Sequence, residues 1–234
     1  MKETILDNPA WEALTSEHAH FAQGTDHAKR YQQGIVPFVA CRQTNDNSIA
    51  TLDPWMNAGE SFYIIGELPI LPDNWTKDNE LPCAQMVLRS VPAPLTESDV
   101  AMISLLGPED ADDMYTLINS IQPGYYNHGT RLLGNYYGIR HNGTLIAMAG
   151  ERMRITGFTE LSAICTHPDH TGRGYARKLI TQLCYQHAGE GITSFLHVAL
   201  SNERAIRLYA HMGFEQRRVI SFYKVTTSHI PPLQ

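Results

Sequence analysis

Several features are missing from this chain of 234 residues. No apolar run approaches the roughly 20 residues needed to span a bilayer. The opening MKETILDNPAWEAL has no signal-peptide apolar stretch, so a cytoplasmic protein without a membrane partner is expected. The four cysteines, Cys41, Cys83, Cys165 and Cys184, form no C-x-x-C pair, and two lie in apolar patterns. Buried free thiols are therefore expected, rather than disulfides or a zinc site. The sequons at Asn74 and Asn142 would stay unmodified in that compartment. There is no short-period repeat and no low-complexity tract, and the composition is that of an ordinary globular protein able to bury a sizeable core.

What charge there is lies unevenly. Residues 1–120 hold 6 Lys+Arg against 18 Asp+Glu, whereas residues 121–234 hold 12 against 6. The acidic half argues against a nucleic-acid partner for the whole chain, and the basic half suits a small polyanionic ligand. Such asymmetry also arises simply as a way of tuning solubility.

The first 90 residues alternate helical and strand-like pieces. NPAWEALTSEHAHFA has helical spacing from Trp11 to Phe21, with Asn8 as a candidate N-cap and Pro9 in the first turn. VPFVACR and SFYIIGEL read as strands, and LPILPDNWTKDNELP, with its prolines, as extended loop. VPAPLTESD at 91–99 is the best linker candidate, dividing an N-terminal α/β domain, 1–92, from a second domain, 93–234. Beyond it the pattern runs β-α-(α)-β-β-β-α-β-α-β, an α/β arrangement around a mixed sheet, with HNG closing a hairpin.

The most informative stretch is CTHPDHTGRGYARKLI, residues 165–180. An apolar strand ends, two glycines follow one residue apart, and an amphipathic helix begins. Successive backbone N–H groups at a helix N-terminus form an anion site, and glycines let the backbone approach a pyrophosphate closely. Two familiar anion loops do not fit. HTGRGYARK lacks the G-x-x-x-x-G-K-[ST] of a Walker loop, and a dinucleotide fold would need a third glycine where Arg177 stands. A tight turn that binds nothing is the plainer alternative.

The residues Thr171-Gly172-Arg173-Gly174-Tyr175-Ala176 resemble the acyl-CoA loop of the GNAT superfamily of N-acetyltransferases, [Q/R]-x-x-G-x-[G/A], except that Thr171 replaces Gln or Arg. Further on, SNERAIRLYAHMGF matches a second GNAT pattern at Asn202, Ala205, Ile206, Leu208, Tyr209, Gly213 and Phe214. The resemblance covers roughly residues 93–228, and is similar in detail to a bacterial branch related to the glycine N-acyltransferase-like group. It implies a GNAT fold, with a mixed, mostly antiparallel sheet flanked by helices, and an N-terminal half that is a degenerate GNAT-like domain. That half would complete an acceptor cleft or a subunit interface in a homodimer. The implied cosubstrate is acetyl-CoA, and the acceptor a primary amine of a small molecule or peptide.

The resemblance also distributes roles. The pyrophosphate would rest on residues 171–176, and pantetheine along Ile164, Cys165 and Thr166, with Asn202 contacting its arm or simply capping a helix. Cys165 is expected to be structural. Tyr209 would give a proton to the departing sulfur, although its place in the helix also suits packing. An alkyl amine has a pKa of about 10 and needs a base at neutral pH. Glu160, eleven residues before Thr171, matches the catalytic glutamate of the histone-acetylating members, and Glu151 is the alternative. Tyr125, Tyr126 and His128 are candidate cleft residues, and Arg131 a candidate clamp for an acceptor carboxylate. His167 and His170 look like a metal pair but lack a third ligand, so no metal is expected. Two rivals remain: a non-catalytic acyl-CoA sensor, and an amine- or peptide-binding scaffold independent of CoA.

Overall fold

A computed structural model describes residues 3–228. Its strands are β1 (Ala22–Gly24), β2 (Ala28–Tyr31), β3 (Phe38–Cys41), β4 (Ser61–Gly66), β5 (Trp75–Leu88), β6 (Ile103–Leu105), β7 (Tyr136–His141), β8 (Thr144–Ile155), β9 (Phe158–Thr166), β10 (Thr193–Ala199) and β11 (Phe214–Thr227). The helices are α1 (Pro9–Thr15), α2 (Glu97–Val100), α3 (Ala111–Ile121), α4 (Tyr175–Gly189) and α5 (Glu203–His211). All eleven strands form one sheet, in the order β1-β2-β3-β4-β11-β5-β10-β9-β8-β7-β6.

This order is nearly palindromic. β3–β4 and β9–β10 are the parallel pairs, and every other pairing is antiparallel. They lie at matching distances on either side of the central β11–β5 pair. Each half of the chain therefore places one strand beside the other half's parallel pair: β5 flanks β10, and β11 flanks β4. The sheet passes unbroken across residue 92.

Several expectations from the sequence need correction. The segment read as extended loop supplies the first half of β5, one of the two longest strands. Its Pro82 is tolerated for a geometric reason. The β5–β10 ladder ends at Cys83↔Ala199, and the Pro82 carbonyl accepts only from the Leu200 N–H beyond it. The missing proline N–H would have faced that same side, past the end of the partner strand. The helix expected from Trp11 to Phe21 stops at Thr15, and a separate 3-10 turn covers Ala19–Phe21. Asn8 does not cap α1 with its side chain; its amide donates to the Cys41 carbonyl at 2.8 Å instead. The expected HNG hairpin is present, with Asn142 and Gly143 both at positive φ, as a two-residue turn requires.

Hydrophobic clusters pin the helices to the sheet. Leu179, Ile180, Leu183 and Cys184 of α4 pack with Ile146, Leu161 and Leu196, which anchors the helix that follows the two glycines. Leu6, Ala10, Ala13 and Leu14 pack with Phe38, Met153 and Phe222, which ties the N-terminal segment to both halves of the sheet.

Candidate active site

β9 and β10 run parallel only from Phe158↔Thr193 to Leu161↔Leu196. Beyond that register they diverge, and β9 carries one extra residue against β8: Gly150 pairs with Ser162, but Met148 pairs with Cys165. The bulge contains Ala163 at φ 51°, a left-handed conformation rare for a residue with a side chain. A bulge beside a strand split leaves backbone groups of β9 without a strand partner on one edge, where an extended ligand could pair with them.

Two cavities meet at this split. One, of about 440 Å³, runs along Cys165 and Thr166, the turn from Thr171 to Ala176, and the start of α5. The other, of about 160 Å³, lies between β9, β10 and the segment after α3, and its walls include Arg152, His197 and Tyr126. Ile164, Asn202 and Tyr209 line both, so they form the passage between them. The fold thus brings all the residues proposed for cosubstrate binding, and Tyr209, to one place.

The glycine turn has the form an anion cradle needs. Gly172 and Gly174 have φ of 78° and 77°, and Gly174 is the N-cap of the 15-residue α4. A Cβ at either position would meet nothing within 4 Å. The glycines are required by the backbone conformation, and the space over them is open to a ligand. Arg173, Arg177 and Arg204 border the same cavity. His170 lies there too, with a buried Nδ1 that has no hydrogen-bond partner. Its ring sits 5.9 Å from that of His167, and no group of three metal-ligating side chains occurs among the described residues. Asn202 caps α5, its side chain accepting from the Ala205 N–H at 3.1 Å.

Tyr209 is 8% exposed, and burial pushes its phenol up to about 12, so it keeps its proton at neutral pH. Burial also lifts the Cys165 thiol to about 12, which keeps it protonated and unreactive.

Glu160 stands elsewhere than a direct base should. It is fully buried and is not part of the cavity wall. Its Oε2 accepts from Arg152 Nε at 2.8 Å, and its Oε1 from Arg152 Nη2 at 2.6 Å and from His197 at 2.7 Å. Burial alone would raise its pKa, but the charge and hydrogen bonds of Arg152, with the bond to His197, outweigh it and bring the value to about 2. A carboxylate so weakly basic, with both oxygens occupied, does not suit proton abstraction.

Glu151 is also absent from the cleft. It bonds His187 of α4 at 3.0 Å, the Asn135 N–H at 3.1 Å and Arg154. Arg131, half-buried and in no ion pair among the described residues, sits in the 3-10 turn His128–Leu133 and does not line the cavity. His128 stacks on Tyr115, away from the cleft wall. Tyr125 and Tyr126 do line it; the Tyr126 hydroxyl is buried without a partner among the described residues, and burial raises its pKa.

The sequence reading missed Arg152, His197 and Gln85. His197 was the visible clue, an imidazole inside the otherwise apolar TSFLHVAL. Its Nε2 lies 3.0 Å from the Gln85 amide nitrogen, whose orientation is fixed by Gln85 Oε1 accepting from Arg217 and Nε2 donating to the Leu6 carbonyl. His197 must then accept at Nε2 and donate from Nδ1 to Glu160. Leu81 and Cys83, also in the wall, come from β5.

The model of FR47-like proteins matches residues 136–223. No curated protein matches the sequence. Among solved structures, a protein of the GNAT acetyltransferase family from Novosphingobium aromaticivorans is 30% identical, with 95% of this chain and 98% of that one covered and a TM-score of 0.87. A GCN5-related N-acetyltransferase from Kribbella flavida (14% identity, 98% and 99% covered, TM-score 0.61) and a GCN5-related N-acetyltransferase-like protein from Streptococcus suis (13%, 95% and 96%, 0.56) share the fold.

Proposed function

Because this chain belongs to the GNAT superfamily, we propose that it is an acyl-CoA-dependent N-acyltransferase that moves acetyl from acetyl-CoA to a primary amine of a small molecule or peptide. The observation that carries this reading is the joined pair of cavities, with the glycine turn in one and Tyr209 in the passage to the other. The backbone N–H groups from Gly172 to Ala176 and the N-terminus of α4 suit a pyrophosphate, and the diverging edges of β9 and β10 suit the extended pantetheine arm. Acetyl-CoA supplies an activated acyl carbon at the passage. The amine nitrogen bonds to that carbon as the carbon–sulfur bond breaks, and Tyr209 is placed to return a proton to sulfur.

Among the described residues no acidic side chain lines the small cavity, and His197 has both nitrogens engaged, so the amine loses its proton to water or arrives neutral. Glu160 is then a positioning residue, fixing Arg152 and His197 in the wall. The near-palindromic strand order supports reading residues 1–92 as a degenerate copy of the second half, whose β5 helps to close the acceptor cavity.

The test is thiol release from acetyl-CoA over a panel of amines. Turnover of at least one amine, with Tyr209→Phe lowering kcat and leaving CoA affinity unchanged, is expected. General acid catalysis contributes about 10²–10⁴-fold in general, and thiolate leaves readily, so the loss belongs near or below the lower end. CoA binding without turnover of any amine would favour the sensor reading.

A further inference from the structure

The small cavity differs in what its walls still offer. Among the described residues no aspartate or glutamate lines it, and Arg152 is the charged residue in its wall. The Arg152 guanidinium is held firmly: Nε and Nη2 bind Glu160, and its centre lies 4.9 Å from the Phe38 ring and 5.7 Å from the Phe222 ring. Glu160 stands behind it, outside the wall. The Nη1 edge is therefore the one turned from the carboxylate, and the ion pair presents its positive end to the cavity. The Tyr126 hydroxyl, buried and unpartnered, is a second open group in the same wall. Its pKa is raised by burial, so it stays protonated and able to donate. His197 has both ring nitrogens engaged. Among the described residues, and apart from Tyr209 in the passage, the buried side chains that still have a polar group open to a ligand are thus Arg152 and Tyr126, both able to donate, in a cavity of about 160 Å³.

From these open groups we propose that the acceptor is a small amine bearing a carboxylate, and that Arg152 is the residue that recognises the carboxylate, with the Tyr126 hydroxyl a further donor in the same wall. This rests on the acyltransferase reading above. A polyamine or an aminoglycoside would bring several ammonium groups to a wall without a carboxylate to meet them, and each would be desolvated unpaired. A carboxylate meets a rigid, preorganised guanidinium edge and a hydroxyl. Glu160 makes this possible by fixing the angle of Arg152 and by keeping its charge paired when the cavity is empty.

The test compares amino acids, including β-alanine and 4-aminobutyrate, each with its own carboxamide, in thiol release from acetyl-CoA. The wild-type protein should prefer the best acid over its amide by about 10- to 100-fold in kcat/KM, the usual scale of one hydrogen bond to a charged group. The double variant R152Q/E160Q removes both charges, so neither is left buried alone. Provided it shows native circular dichroism and binds CoA by calorimetry, it should lose that preference, the kcat/KM of the acid falling to that of its carboxamide through a rise in KM. A purely structural role for Arg152 would lower both substrates alike. Equal use of acids and amides by the wild type, retention of the preference by the folded double variant, or turnover confined to polyamines would overturn the proposal. If no amine of any kind turns over, the acyltransferase reading fails. Carboxylate recognition is then decided by calorimetry of the same amino acids and amides on the CoA-loaded protein, where a lack of selective binding by the acids overturns it.

Discussion

At the residue scale, the two glycines and the buried glutamate make opposite demands. A Cβ at Gly174 would have open space around it, and Asp is among the residues that best tolerate left-handed backbone. Gly174→Asp should therefore fold, with a midpoint of thermal unfolding within a few degrees of wild type. It should lose CoA affinity by tenfold or more, because a carboxylate now faces the pyrophosphate; calorimetry reads both the loss and the 1:1 stoichiometry expected of the parent. Glu160 is instead a stability residue. Its pKa is lowered from 4.5 to about 2, so its contribution is present above pH ~4.5 and is lost as pH falls through 2. The shift corresponds to about 3 kcal/mol. Glu160→Gln leaves Arg152 buried without its charge partner, a change that typically costs about 3–5 kcal/mol. The gap in urea-unfolding free energy between wild type and variant should be widest near pH 7 and shrink from pH 5 toward pH 2, as the wild-type carboxyl itself becomes neutral. A gap that stays constant with pH would mean that Glu160 acts through shape rather than charge.

At the scale of elements, the sequence was most legible where a motif is local. The strand–glycine turn–helix unit at 158–189 and the capped helix α5 could be read from spacing and turn chemistry, and the residues of the larger cavity came with them. What could not be read depends on partners far away in the chain. β5 looked like loop because its proline and charges, and the two prolines just before it, say nothing of β11 and β10 on either side. Arg152 and Glu160 are eight positions apart, and their pairing follows from a hairpin register that carries irregularities between Glu151 and Arg154. The direct-base expectation for Glu160 failed for that reason: spacing located the carboxylate but not the guanidinium in front of it. The exchange of β5 and β11 gives a further expectation. A fragment of residues 93–234 keeps β10 and β11 but loses the strand that separates and pairs with both. It should show no cooperative thermal transition alone, and should regain one with CoA binding when mixed with residues 1–92. A soluble, monomeric and fully active 93–234 fragment would refute this.

At the scale of the whole molecule, one sheet and a core shared between the two ends of the chain make separate melting of the halves unfavourable. The cluster around Phe38, Phe195 and Phe222 draws on both. Chemical denaturation followed by tryptophan fluorescence and by far-ultraviolet circular dichroism should give coincident single transitions. All three tryptophans, Trp11, Trp55 and Trp75, lie in the N-terminal half, so fluorescence follows that half while circular dichroism follows both. Saturating CoA, bound in the other half, should shift the two curves together by the amount its affinity dictates. The central position of β11 also bears on synthesis. It is translated after every other strand, yet it belongs between β4 and β5. Until residues 214–227 leave the ribosome, those two strands present bare hydrogen-bonding edges, one of them fourteen residues long. The nascent chain must therefore keep a gap open in the middle of its sheet until β11 emerges, in a state prone to pairing with a neighbouring chain. A stop codon placed shortly before Phe214 would remove one strand but would leave the sheet in two unpaired parts.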